Sequence, residues 1–295
     1  MTVQTRRPPA SPCIGVCVID EARGLCTGCV RTLDEIAVWG GASEAFRSAV
    51  WAALPLRAAA MGLTTRRLDW QGAALLEAVA QRFVDAEGAF VAGVYGAVAE
   101  VRRQPDEPFE ARREGVVLTL TTRRCALQVE AASWMTAFEI ARPDRPPLIA
   151  IAVPSGRAGD RGADALTCLG PDEASLLPRD AGGRRFDLGL GRRAARFTIR
   201  CDSALAAAIA PHCGAPWPAC LGLIGGNVLA ASPVRVIEAP GLRAEVDAII
   251  PSRGGASPAG PHTHLLPEHI SQGFDTPPTV PLPEGYVLSA LFYPS

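Results

Sequence analysis

Residues 116–130 read Val116-Val117-Leu118-Thr119-Leu120-Thr121-Thr122-Arg123-Arg124-Cys125-Ala126-Leu127-Gln128-Val129-Glu130. Two runs of strand-forming residues, 116–122 and 124–130, flank a tight polar turn, which is the pattern of a β-hairpin. A second pair follows the same logic: Val234 to Glu238 and Ala244 to Ile250 are turned at Pro240-Gly241. Strands that are neighbours in sequence and joined by short turns give an antiparallel sheet; a doubly wound sheet would need a helix between each pair. The expected class is therefore α+β, with a mainly antiparallel sheet and a few helices.

The rest of this region is read outward from those hairpins. A helix is expected from Asp69, with Trp70, Leu75, Val79 and Phe83 on one side. Phe90 to Val101 reads as a strand thinned by Gly93 and Gly96, and Arg102 to Gly115 as a charged, proline-containing loop. Leu148 to Val153 is a short buried strand. Residues 156–191 are loop-rich, with one short helix near Asp172 to Leu177. Ala195 to Arg200 is another strand, followed by a helix capped at Asp202 or Ser203.

The N-terminal end is different in kind. Cys13, Cys17, Cys26 and Cys29 lie within the first 29 residues, spaced C-x3-C-x8-C-x2-C. Two close pairs across a short loop suit a tetrahedral metal, because each pair sets two thiolates on one turn. Asp20 to Gly24 reads as the turn that returns the chain to Cys26, and Arg31 stands where its charge offsets a thiolate cluster. Thr32-Leu33-Asp34-Glu35 is a capping-box pattern opening a short helix with Ile36 and Trp39 on its apolar side. Ser43 caps a second helix carrying Phe46, Val50 and Leu54, and Pro55 is expected to close the unit. Two short helices bury little, so a metal would supply much of the folding free energy. The expected division is a cysteine-rich metal module at 1–57, a linker at 58–68 and a larger domain at 69–295.

These residues carry a resemblance. Ser11-Pro12-Cys13-Ile14-Gly15-Val16-Cys17, Gly24-Leu25-Cys26-Thr27-Gly28-Cys29, Arg31-Thr32-Leu33-Asp34-Glu35-Ile36 and Trp39 together resemble the short bacterial cysteine-rich domain of unknown function catalogued as predicted iron–sulfur proteins. The resemblance covers about residues 10–57 and implies that the four cysteines ligate metal. Spacing alone leaves iron–sulfur and zinc level, since both accept four thiolates; the resemblance favours an iron–sulfur cluster over zinc. Tyr95-Gly96-Ala97-Val98-Ala99-Glu100, Pro105-Asp106-Glu107-Pro108 and Gly260-Pro261-His262-Thr263-His264-Leu265-Leu266-Pro267 also resemble an uncharacterised proteobacterial family. That second resemblance implies one domain and no particular activity.

Composition bounds the remaining possibilities. A formal net charge of −1 argues against general nucleic-acid binding, although all 29 basic residues are arginine. Their even spread along the chain fits a coding bias toward Ala, Gly, Pro and Arg better than a phosphate-binding patch. No apolar run reaches membrane-spanning length. Arg6-Arg7 is followed by Pro8 and Pro9 where an export signal needs an apolar stretch. The expected setting is the reducing cytoplasm, where Cys125, Cys168, Cys201, Cys213 and Cys220 would be ordinary buried thiols. The partner is expected to be an unidentified protein or small molecule.

Three of the four histidines, His262, His264 and His269, lie together beside Glu268. A His-x-His pair projects both rings to one side if the chain is extended, so these four residues form a possible second metal or catalytic site. The alternative is a surface loop from Pro251 to Pro267 whose histidines cap turns. Two function classes follow: a metal-binding protein whose larger domain binds a ligand or partner, and a metalloenzyme or small-molecule enzyme centred on the His-x-His loop.

Overall fold

A computed structural model describes residues 11–13, 18–27, 29–142, 145–159, 162–252 and 259–295. The chain opens with a small two-stranded ribbon, β1 (Ile19–Asp20) and β2 (Leu25–Cys26), then helices α1 (Leu33–Val38) and α2 (Glu44–Ala60). Thr32 caps α1 through a complete capping box with Glu35, and the Ser43 hydroxyl accepts from the Phe46 amide at the start of α2. Helix α2 does not stop at Pro55. It runs on to Ala60 because Val50, Leu54 and Ala58 form one buried stripe against Val30 and Trp39. Pro55 removes one backbone donor, and burial of that stripe outweighs the loss.

The expected linker is structured: it holds the last turn of α2 and strand β3 (Thr65–Arg67). Helix α3 (Ala73–Asp85) follows, burying Leu75, Leu76, Val79 and Phe83 as its periodicity requires. Phe90 to Val101 is two strands and not one: β4 (Gly88–Val94) and β5 (Ala97–Val101) form a hairpin around Tyr95-Gly96. The charged stretch read as loop contains strand β6 (Phe109–Glu114), and the deciding hairpin is β7 (Val117–Thr122) and β8 (Cys125–Glu130). Beyond it come β9 (Thr136–Arg142), β10 (Arg145–Pro154), β11 (Thr167–Pro171), β12 (Arg184–Asp187) and β13 (Arg196–Cys201). Asp202 caps α4 (Ser203–Ile209), then α5 (Ala219–Ala231) leads to the second hairpin, β14 (Val234–Ala239) and β15 (Leu242–Val246). The chain ends with β16 (His262–Leu265), the one-turn helix α6 (Pro267–Ile270) and β17 (Tyr286–Pro294).

The strands form two large sheets of orders β16-β5-β4-β17-β10-β9-β3 and β11-β12-β13-β14-β15-β8-β7-β6, and each of these neighbouring pairs is antiparallel. The α+β class with antiparallel sheets is thus the architecture found. The sheets face each other across one core. Phe90, Ala92, Val94, Ala97 and Ala99 from the first sheet meet Leu120, Leu127, Ile237, Ala244 and Val246 from the second. Alternation along each strand sends the other residues to the outer faces.

No helix forms at 172–177. The amides of Leu176 and Leu177 instead donate to the carboxylate of Glu245, and Arg200 bonds to Asp172, to Glu245 and to the Leu177 carbonyl. The segment is drawn flat onto the outer face of the second sheet by a buried ionic network. Tertiary partners have taken the donors that a helix would have used.

Candidate functional sites

The cysteine module is built around β1–β2 and the loop that follows. Asp20 closes the expected turn: its backbone carbonyl accepts from Gly24 and its carboxylate pairs with Arg23. The Cys26 amide then donates to the Arg31 carbonyl, and the Val30 amide donates back to the Cys26 carbonyl. This narrow loop holds Val30 at a φ of 53°, in the left-handed region that β-branched residues rarely enter. Cys26 and Cys29 are both buried, 0% and 4% exposed. Burial pushes the Cys29 thiol up, Arg31 opposes it, and the neighbouring Cys26 adds to the rise.

Arg31 is buried too, with Nε donating to Cys29 Sγ at 3.4 Å and its guanidinium over the Trp39 ring at 4.6 Å. Its other arm reaches Ser11 Oγ at 3.4 Å, while Arg67 of β3 donates to the Cys13 carbonyl at 2.8 Å. The segment carrying Cys13 is thereby tied back near Cys29. Cys17 lies outside the described residues. Behind the loop, Glu35 forms a two-bond pair with Arg57 at 2.7 and 2.9 Å, and Arg57 also donates to the Val30 carbonyl. Arg57 of α2 therefore fastens the capping box of α1 and the cysteine loop together.

Of the five remaining cysteines, Cys125, Cys201 and Cys220 are fully buried, and burial pushes their thiols to about 11, 12 and 11. Cys168 is half-buried and Cys213 is exposed, so the expectation of five buried thiols fails for the last. Cys213 ends the short turn after α4, where its side chain reaches solvent.

His262 and His264 are on a strand, β16, at the edge of the first sheet. Its partner is β5, in a register that sets His262 opposite Glu100 and His264 opposite Val98. Residues two apart in a strand share a face, so both rings and the Glu100 side chain project to the same outer side. His262 Nε2 and His264 Nε2 are 2.8 Å apart, and Glu100 Oε2 lies 3.4 Å from the first and 4.0 Å from the second. The Gly260 carbonyl at 3.0 Å from His262 Nδ1 can only accept, so Nδ1 carries the proton and Nε2 presents a lone pair. Glu100 Oε1 is occupied by Arg102 Nε at 3.1 Å, which leaves Oε2 facing the rings. Among the described residues, Glu100, His262 and His264 form the group whose ligand atoms all lie within 4.8 Å of one another.

His269 and Glu268 do not join that group. Helix α6 begins at Pro267 and turns the chain, so Glu268 is exposed and the His269 ring stacks on Tyr95 at 4.6 Å and 10°. The Gly96 carbonyl accepts from Leu266. Gly96 has a φ of 88°, and a Cβ there would lie 2.7 Å from both His269 Cβ and the Ile270 amide nitrogen. Only glycine lets the β4–β5 turn sit against α6. Beside the group opens a cavity of about 330 Å³, walled by Val98, Leu288 and Leu291, with His264, His269 and Tyr293 on its rim. Burial raises the Tyr293 phenol, Arg142 opposes that, and Glu100 adds to it.

Sequence reasoning reached His262 and His264 and missed Glu100. Glu100 was legible only as one residue of the strand-like run from Phe90 to Val101. Its role as a neighbour of the histidines depends on the pairing of two strands 160 residues apart.

The architecture is an antiparallel two-sheet α+β domain preceded by a cysteine-bearing helical segment, and both parts match families. A family of unknown function (DUF6925) matches residues 74–295, most of the chain, and the chain belongs to it. A second description, protein of unknown function (DUF1289), matches residues 11–58. No curated protein and no solved structure matches the chain. Among the described residues, no helix is long and apolar enough to cross a membrane.

Proposed function

We propose that this is a cytoplasmic metal-binding protein. Residues 1–57 hold the metal through Cys13, Cys17, Cys26 and Cys29, joined by residues 58–68 to a ligand- or partner-binding domain at 69–295. The observation that carries the reading is the buried Cys26–Cys29 pair with the Arg31 guanidinium against one sulfur. A donor set of soft sulfur atoms with a fixed cation beside it fits a thiolate-ligated centre, whose negative charge Arg31 would offset. An N–H directed at sulfur is also the kind of contact that tunes iron–sulfur clusters, and the preference is for such a cluster over zinc. Bound there, the group would supply structural cross-linking and, as a cluster, one-electron chemistry.

Purification without oxygen, followed by iron, sulfide and zinc analysis of the same sample, tests this. The expected result is iron with sulfide and a visible absorbance that Cys26→Ser abolishes. Stoichiometric zinc without colour would keep the cysteine site and change its metal. Protein free of both metals, with α1 and α2 fully folded, would overturn the reading.

A further inference from the structure

We propose that Glu100, His262 and His264 form a second metal site, for a divalent transition ion of the zinc or ferrous type, with its open positions directed into the adjoining apolar cavity. The proposal is independent of the cysteine centre and rests on different residues.

The donor set is two imidazoles and one carboxylate, which suits ions of this borderline character and leaves positions free for an exogenous ligand. The distances fit. With metal–ligand bonds of about 2.1 Å, neighbouring donor atoms stand roughly 3.0 Å apart at right angles and roughly 3.4 Å apart in a tetrahedron. The observed separations are 2.8, 3.4 and 4.0 Å. A movement of about 0.6 Å by the Glu100 carboxylate, well within one rotamer, would bring the longest to the tetrahedral value, and the two ring nitrogens would part by roughly 0.2–0.6 Å as the ion replaces the contact between them.

The surrounding bonds are those a metal ligand needs. His262 donates its Nδ1–H to the Gly260 carbonyl, which fixes the ring and points the Nε2 lone pair at the site. Arg102 holds one oxygen of Glu100 and leaves the other available. Access exists as well: the His264 side chain is 38% exposed, whereas those of His262 and Glu100 are 14% and 18% exposed. A structural role for the pair would be a simple ring-to-ring hydrogen bond. It would not explain a carboxylate placed against the same two nitrogens, beside a cavity that the His264 ring lines.

That cavity identifies the kind of ligand. Its wall of Val98, Leu288 and Leu291 accepts an apolar body, and His264 stands at its edge. A small organic molecule with one oxygen donor for the metal and a hydrocarbon portion for the wall satisfies both surfaces.

Cobalt(II) added alone to the metal-stripped full chain is the probe, because thiolate ligation gives an intense charge-transfer band and nitrogen–oxygen ligation does not. The expected result is a cobalt spectrum with weak visible bands of nitrogen–oxygen type. Those bands persist in the Cys13→Ser, Cys17→Ser variant, and His264→Gln and Glu100→Gln remove them. Arg102→Gln, acting on the carboxylate from behind, is expected to weaken cobalt binding about 10-fold or more. Unchanged cobalt binding in His264→Gln and Glu100→Gln, or the absence of nitrogen–oxygen bands from the Cys13→Ser, Cys17→Ser variant, overturns the site. Should the histidine and glutamate variants fail to fold, the spectrum of the Cys13→Ser, Cys17→Ser variant alone still decides. Loss of the thiolate band with the nitrogen–oxygen bands retained separates a failure of the cysteine reading from a failure of this one.

Discussion

Arg200 and Glu245, both fully buried on the second sheet, meet at 2.9 Å with Asp172 bound to the same guanidinium nitrogen. Arg243 bridges Asp172 and Glu245 from the adjoining position, at 2.6 and 2.7 Å. Four charged groups and two backbone amides thus satisfy one another out of water. Removing one member leaves the others desolvated and unpaired.

Glu245→Ala is therefore expected to cost about 3–5 kcal/mol, measured by denaturant unfolding. It should also free the Leu176 and Leu177 amides, raising their hydrogen exchange more than that of β14. A loss below about 1 kcal/mol, in the range of exposed ion pairs, would show that the network does not clamp this segment.

The same network gives the stability a definite pH dependence. Burial would raise the Asp172 carboxyl, but Arg200, Arg243 and Arg185 outweigh it and hold the group below the usual aspartate value of 3.8. A group depressed in the folded state contributes stability above its unfolded value and loses it as pH falls through the folded one. Acid unfolding should steepen below about pH 4, and Asp172→Asn should flatten that limb while lowering stability at neutral pH. An unchanged acid limb in Asp172→Asn would remove Asp172 from the account.

Cys26→Ser tests how far the N-terminal module depends on its centre. Exchange protection in α1 and α2 should fall while the two large sheets keep their own melting transition. The Glu35–Arg57 pair and the buried Val50, Leu54 and Ala58 stripe oppose that outcome. Full protection in the variant would mean that packing alone holds the helices.

Gly96→Ala places a side chain at a positive φ and against α6. Backbone strain of this kind costs of order 1–3 kcal/mol. The thermal midpoint should fall, and the Tyr95–His269 stack should open, visible as a shift of the His269 ring resonances. A variant with wild-type stability and an intact stack would show that the turn can relax.

What sequence made legible was local. The Thr32–Glu35 box, the Asp202 cap and the β7–β8 and β14–β15 hairpins each depend on residues a few positions apart. Strand β6 escaped because it is an edge strand: Glu110, Arg112, Arg113 and Glu114 are exposed, a composition that protects an edge and resembles a loop. The helix expected at 172–177 failed because Glu245, 68 residues away, takes the Leu177 amide. Glu268 neighbours the histidines in sequence only, whereas Glu100 reaches His262 across a ladder that no local pattern announces.

The strand order of the first sheet has one more consequence. Strand β3, whose Arg67 grips the Cys13 carbonyl, and strand β16, which carries His262 and His264, are its two opposite edges. Six inter-strand steps of about 4.8 Å separate them by roughly 29 Å along the sheet. That is roughly three and a half Debye lengths at physiological salt. Charge gained or lost at one rim is screened before it reaches the other. Occupancy at the cysteines and at the histidines should then be two uncorrelated variables, so stripping one centre should leave metal affinity at the other unchanged.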